Sequence, residues 1–172
     1  MNIGLFGGSF DPVHRGHETL LLNFMSKLSL EKTFVIPAFV SPFKIDRPPI
    51  ATPQDRVAML KLAFEDMSKV EILTDEIDRK EISYTIDTVR KIIAKFPDDN
   101  FFLLLSEEMI PLFPLWKNFE EIKKLVRPEF GKVTLPISST AIREKLKKRE
   151  QCKDYLSAKV LDYIEKYDLY SS

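Results

Sequence analysis

Residues 2–17 read Asn2-Ile3-Gly4-Leu5-Phe6-Gly7-Gly8-Ser9-Phe10-Asp11-Pro12-Val13-His14-Arg15-Gly16-His17. The first five are a short, mostly apolar run stopped by Gly7-Gly8, which predicts a buried strand over 2–6. From Gly16 to Ser29 the residues Leu21, Phe24, Met25 and Leu28 recur at i, i+3, i+4 and i+7. That is the period of a helix that buries one face. Strand, glycine turn and helix in this order open a β-α-β unit. In parallel sheets ligands bind beyond the carboxyl ends of the strands, and the loop 7–17 lies there.

The alternation continues along the chain. Thr33-Phe34-Val35-Ile36 is a second strand candidate, halted by Pro37. Residues 37–53 hold five of the eleven prolines and predict a loop. Thr52-Pro53-Gln54-Asp55 then supplies an N-cap, a proline at the first helical position and an acidic third residue. Val57, Leu60, Phe64 and Met67 are the expected apolar face of that helix. Val70–Leu73 is a third strand candidate, followed by a charged connection to Ser83. Ile86, Val89 and Ile93 mark a helix that ends before Pro97, and Phe101–Leu105 is the most apolar strand. Asn118–Leu125 predicts a short helix with Asn118 capping and Glu121 as its third residue. Lys132–Leu135 is expected to be the last strand, with helices over Thr140–Lys148 and Ser157–Tyr167. Because the strands are continuous apolar runs, the expected fold class is α/β: a doubly wound parallel sheet with helices on both faces.

Composition narrows the function classes. The chain has 172 residues, 44% hydrophobic and 30% charged, so it can bury a core and is expected to form one domain over 1–172. Lys plus Arg and Asp plus Glu number 26 each, which excludes a generally basic nucleic-acid binder. The single cysteine, Cys152, excludes an internal disulfide framework and agrees with a reducing cytoplasm. No apolar run approaches the roughly 18 residues of a membrane span, and the first residues lack the charged start of a signal peptide. A cytoplasmic protein with neither nucleic acid nor membrane as partner is expected. Nothing in the pattern specifies an oligomeric state.

Four of the five glycines and both histidines lie within residues 1–17. The loop is neither G-x-G-x-x-G nor G-x-x-x-x-G-K-S/T, so dehydrogenase-type and Walker-type nucleotide sites are disfavoured. Gly7 and Gly8 let the backbone pass close to a nucleotide, and Gly16 lets the helix start close to the strand. His14 and His17 are three residues apart on an opening helical turn, where free N–H groups already attract anions. Two imidazoles there can donate to phosphate oxygens whose charge grows in a transition state. With no third histidine and no nearby cysteine, no metal ligands are expected from the protein.

Together these residues resemble the N-terminal signature of bacterial nicotinate-nucleotide adenylyltransferases, within the nucleotidyltransferase superfamily marked by His/Thr-x-Gly-His. Four further segments match in order. Ser41-Pro42-Phe43-Lys44 is similar to the family's Pro-Pro-His-Lys loop, and Ser83-Tyr84-Thr85-Ile86-Asp87-Thr88 to its Ser-Tyr-Thr-x-x-Thr. Trp116 follows the central strand as the family's tryptophan does. Ile137-Ser138-Ser139-Thr140-Ala141-Ile142-Arg143 is similar to its Ser-Ser-Thr-x-Ile-Arg. The resemblance covers nearly the whole chain and implies a Rossmann-like fold.

It also implies a reaction: the phosphate of a pyridine mononucleotide attacks the α-phosphorus of ATP and releases pyrophosphate. The attacking phosphate is already ionised, so catalysis is positioning and charge stabilisation. His14, His17, Lys44 and Arg143 are the implied catalytic set. Gly7, Gly8, Ser9, Phe10, Ile137, Ser138 and Ser139, with His14, His17 and Arg143, would bind ATP. Lys44, Tyr84, Thr85, Glu108 and Trp116 would bind the mononucleotide, the tryptophan stacking on the pyridine. Mg²⁺ would be held through the ATP phosphates. Read from residues alone, Lys44 suits a solvated loop as well, the Ser-Ser-Thr run suits helix capping, and Trp116 suits a core or hinge. Asp11 before Pro12 is expected to shape the turn.

Departures from the family pattern fall on the nucleoside and pyridine side. Ser106-Glu107-Glu108 stands where the family has Gly-x-Asp, Phe43 replaces a histidine, and Ala38-Phe39 follow Pro37 where an asparagine is usual. The segment between Pro128 and Ile137 is short, so a helix and part of the sheet edge are expected to be trimmed. Two alternatives remain: a sister nucleotidyltransferase using nicotinamide mononucleotide or phosphopantetheine, and a non-catalytic nucleotide-binding protein of the same fold.

Overall fold

A computed structural model describes all residues, 1–172. Strands β1 (Asn2–Gly8), β2 (Lys32–Pro37), β3 (Val70–Ile72), β4 (Asn100–Ser106) and β5 (Arg127–Gly131) form one sheet in the order β3-β2-β1-β4-β5. Every neighbouring pair is parallel, with Leu5 of β1 beside Phe34 of β2 and Leu103 of β4. Strand order reverses at β1, so the switch-point crevice opens at the end of the strand that carries Gly7 and Gly8.

Seven helices cover the sheet: α1 (Arg15–Lys27), α2 (Pro53–Ala63), α3 (Asp75–Arg79), α4 (Thr85–Lys95), α5 (Phe119–Leu125), α6 (Ser139–Lys147) and α7 (Ala158–Lys166). On one face Phe6, Val35 and Leu104 pack with Leu21, Phe24, Leu60, Ile142 and Ile164 of α1, α2, α6 and α7. On the other, Ile3, Leu5, Phe34 and Leu103 pack with Ile86, Val89, Ile92 and Ile122 of α4 and α5. Alternate residues of β1, β2 and β4 feed opposite cores, which is why these strands read as apolar runs. No helix is long and apolar enough to cross a membrane.

Thr52 caps α2 by accepting from the Asp55 amide, as its sequence predicts. Five details differ from the sequence expectation. β1 continues through Gly7-Gly8 because β2 runs on beside it, Gly8 pairing with Pro37. The last strand is 127–131, not 132–135. Pro128 is tolerated because β5 is an edge strand paired only with β4, so its missing N–H costs the open side nothing. The buried face of α2 carries Arg56, Met59 and Leu60 rather than Val57. The charged connection after β3 contains α3, whose Glu76 is buried against Thr88. Asn118 stands at the start of α5 with φ 56°, and its side-chain amide donates to Glu121 instead of capping the backbone.

Candidate active site

The loop leaving β1 is held from beneath by two buried side chains of opposite charge. Asp11 accepts the Ile50 amide at Oδ2 (2.7 Å), and the Ala51 amide (3.0 Å) and Tyr170 hydroxyl (2.7 Å) at Oδ1. Its oxygens are thus committed to the fold, as a turn-shaping residue requires. Arg56 donates from Nη1 to the carbonyls of Ser9 and Ala38, both at 2.7 Å, and from Nη2 to Phe39 at 3.3 Å. One guanidinium therefore joins the loop after β1 to the loop after β2. Phe10 sits between them at φ 49°, a left-handed conformation that a bulky residue rarely adopts. A Cβ on Gly8 would come within 3.1 Å of the Phe10 ring, tighter than an ordinary contact, so a larger residue there would press on the ring.

His14 is the N-cap of α1. Its Nδ1 accepts the Gly16 amide at 3.0 Å, while His17 Nδ1 accepts the His14 amide at 3.1 Å. A ring nitrogen that accepts an N–H carries no proton, so in both imidazoles the proton is on Nε2. Burial pushes the His14 pKa down to about 4. Burial, then His14 and Lys44, hold His17 well below its ordinary value. Both are neutral N–H donors at physiological pH. Gly16 makes the arrangement possible, since a Cβ there would lie 2.8 Å from the His14 ring.

Lys44, at the end of a short turn over Pro42–Lys44, reaches to 3.4 Å from Ser9 Oγ. Partial burial and then Arg143 lower its pKa. Arg143 Nη1 donates to the Asp11 carbonyl at 2.8 Å and lies 3.7 Å from Asp11 Oδ2. Gly7, Gly8, Ser9, Phe10, His14, His17, Lys44 and Arg143 are thus brought to one place. The hydroxyls of the α6 start point elsewhere: Ser138 accepts the Ala141 amide and Ser139 donates to the Pro12 carbonyl. Ile137 packs against the first core.

A second group of residues lies across the loops after β2 and β4. Ser83 Oγ accepts the Phe39 amide at 2.9 Å and the Ser83 amide donates to Val40, so the segment before α4 is tied to the β2 loop. Phe39 and Ala38 thus act there through backbone groups. Tyr84 precedes α4 and Thr85 starts it. The Lys117 ammonium stands 4.3 Å from the centre of the Tyr84 ring. Trp116, beside it in sequence, packs edge-on against Phe113, and its indole N–H is buried without a partner. Glu108 is exposed in the turn that follows β4, and Phe43 is exposed in the turn that carries Lys44. No cluster of three or more His, Cys, Asp or Glu side chains suited to a metal ion occurs.

The profile of the cytidylyltransferase-like family matches residues 5–145. A probable nicotinate-nucleotide adenylyltransferase of Bacillus mycoides is 35% identical, aligned over 99% of this chain and 98% of that protein. The chain belongs to the cytidylyltransferase-like family, among its nicotinate-nucleotide adenylyltransferases. A second adenylyltransferase relative, from Shouchella clausii, is 34% identical over 98% of this chain and 96% of its own. The fold is shared with a Vibrio parahaemolyticus structure described under the same enzyme name, at a TM-score of 0.84 and 19% identity over 99% of this chain and 96% of that one. It is shared too with a Plasmodium falciparum nicotinic acid mononucleotide adenylyltransferase complexed with NaAD, at 0.78 and 22% over 98% and 97%. Against this adenylyltransferase background, sequence reasoning missed Arg56, Lys117 and Tyr170. Arg56 left a signal: it shares the helix face of Met59 and Leu60, where a charge is out of place. Lys117 and Tyr170 left none.

Proposed function

We propose that the chain transfers AMP from ATP to nicotinate mononucleotide, giving deamido-NAD and pyrophosphate, a step of NAD biosynthesis. The observation that carries this reading is the His14–His17 pair, whose two Nε2–H groups are free at the start of α1 in a chain similar to adenylyltransferases along its whole length. An oxygen of the mononucleotide phosphate bonds to the α-phosphorus of ATP. The bond from that phosphorus to the oxygen bridging to the β-phosphate breaks, and pyrophosphate leaves with the electron pair. No base is needed because the nucleophile is already an anion.

The protein's task is to stabilise negative charge where it develops. His14 and His17 donate neutral hydrogen bonds, Lys44 and Arg143 bring positive charge, and the amides opening α1 add their dipole. Gly7, Gly8, Ser9 and Phe10 line the ATP side, with Ile137, Ser138 and Ser139 supporting it through α6. Lys44, Tyr84, Thr85, Glu108 and Trp116 face the mononucleotide, Trp116 against the pyridine ring. Mg²⁺ would be held through the ATP phosphates and would offset their charge there; Asp11, the carboxylate of the β1 loop, is engaged by Ile50, Ala51 and Tyr170. One domain of 1–172 in the cytoplasm suits this role and the single buried thiol of Cys152. The test is pyrophosphate release from ATP with nicotinate mononucleotide, nicotinamide mononucleotide, phosphopantetheine or no acceptor. Release with nicotinate mononucleotide in excess of the others is expected; release driven by another acceptor, or by none, overturns the proposal.

A further inference from the structure

Tyr170 follows α7 with φ 63° and is buried against the underside of the β1 loop. Its hydroxyl donates to Asp11 Oδ1 at 2.7 Å, across 159 residues of sequence. The same carboxylate holds the Ile50 and Ala51 amides, and its Oδ2 stands 3.7 Å from Arg143 Nη1 without the short contact of a direct ion pair. Arg143 Nη1 instead donates to the Asp11 backbone carbonyl at 2.8 Å.

We propose that Tyr170 is a positioning residue for ATP: by saturating Asp11 Oδ1, it keeps the carboxylate turned to residues 50 and 51 and leaves the Arg143 guanidinium available to the triphosphate. The proposal rests on the adenylyl-transfer reading of Arg143. Its physical basis is the cost to a buried carboxylate oxygen of losing the shorter of its two donors, which leaves it only the Ala51 amide. Without the hydroxyl, the cation placed to answer the carboxylate is the Arg143 guanidinium, 3.7 Å from Oδ2, turning from the Asp11 carbonyl and the Thr140 hydroxyl to do so. A forked Arg143–Asp11 pair would satisfy the carboxylate and withdraw the cation from the nucleotide. Burial and the neighbouring Asp11 charge also keep the phenol protonated, so Tyr170 remains a donor.

The same helix supplies a control. Tyr163 donates to Asp55 Oδ1 at 2.8 Å, the same chemistry on the side of α7 that meets α2. Tyr170→Phe and Tyr163→Phe each lose one hydroxyl and keep the ring. ATP binding is measured by titration calorimetry without acceptor, alongside KM and kcat for both substrates and the melting temperature. Tyr170→Phe is expected to weaken ATP about fivefold with the mononucleotide KM within twofold of the parent. Tyr163→Phe is expected to leave both unchanged despite a similar fall in melting temperature. Adding Tyr170→Phe to Arg143→Ala is expected to cost ATP nothing more, because both act through one guanidinium. ATP affinity within twofold of the parent in Tyr170→Phe, an equal loss in Tyr163→Phe, or additive losses in the double variant overturns the proposal. A parent that binds ATP yet transfers AMP to no acceptor overturns the functional reading, while the binding comparison still decides the role of Tyr170. A parent that binds no ATP overturns both.

Discussion

The rings of His14 and His17 lie with their centroids 3.8 Å apart, and each has its Nδ1 tied to a backbone amide of the same helical turn. Two cationic rings could not sit so close at low cost. Two neutral ones can, and both are left with an outward Nε2 proton. The capping of α1 and the supply of hydrogen-bond donors are therefore one arrangement.

Replacing His17 by alanine removes a donor and half of that cap. Turnover is expected to fall a hundredfold or more. The lost cap contributes about 1 kcal/mol, a drop of about 2–4 °C in melting temperature. Steady-state rates and a melting curve check both parts. Turnover within about threefold of the parent would exclude His17 from the chemistry.

Stability should depend on pH through His14. An unfolded imidazole takes up its proton near pH 6.5, the folded one only near 4. Between those values the unfolded chain binds the extra proton. The contribution is therefore whole above pH 6.5 and is lost as pH falls toward 4, for a total of about 3 kcal/mol. His14→Asn retains a capping side chain that does not titrate there. Urea unfolding of the two proteins between pH 7.5 and 5 should show a steeper fall for the parent; parallel curves would mean that His14 is not held neutral by burial.

Arg143→Ala should weaken ATP about tenfold and the mononucleotide less than twofold. The basis is its place at the Asp11 carbonyl, in the loop that leads into the histidine pair. Separate KM measurements for the two substrates suffice. Equal losses would place the guanidinium between the substrates.

Arg56→Met removes three hydrogen bonds to the carbonyls of Ser9, Ala38 and Phe39 while filling much of the same volume. Part of the loss is offset because no charge is then buried. A net cost of about 2–3 kcal/mol is expected, with both substrate affinities reduced because the guanidinium joins both loops. Unfolding and KM measurements on the variant test this; a change confined to stability would show that the loops hold their places without it.

Nicotinate mononucleotide should be preferred over its amide by a modest margin. Its carboxylate differs by a full negative charge, and the Lys117 ammonium stands over Tyr84 next to Trp116. Glu107 and Glu108 oppose it from the turn after β4. Lys117→Ala should narrow the preference about threefold when the two acceptors compete in one reaction. An unchanged product ratio would place the selecting donors elsewhere, on the backbone.

The sheet, its two cores and the histidine loop were legible because each is written locally. A run of apolar residues, a glycine stop and a His-x-x-His spacing occupy a few consecutive positions. The substrate loop's supports were not, because Asp11 is completed by amides at 50 and 51 and a hydroxyl at 170. Nor was β5 legible: Arg127–Gly131 contains Pro128, which a strand tolerates at a sheet edge, and edge position is a property of the whole sheet. The five-residue α3 has no apolar period to reveal it; its Glu76 is fixed by Thr88 from a later helix.

The hydrogen bond from Tyr170 to Asp11 spans almost the full contour of the chain. Closing a loop of that length costs more chain entropy than the histidine pair's own bonds, which join neighbours within one helical turn. Such long-range closure is slow to form and is lost when the segment after α7 opens locally. Cleavage between α7 and Tyr170 would leave the sheet paired as before and take from Asp11 the hydroxyl that completes it.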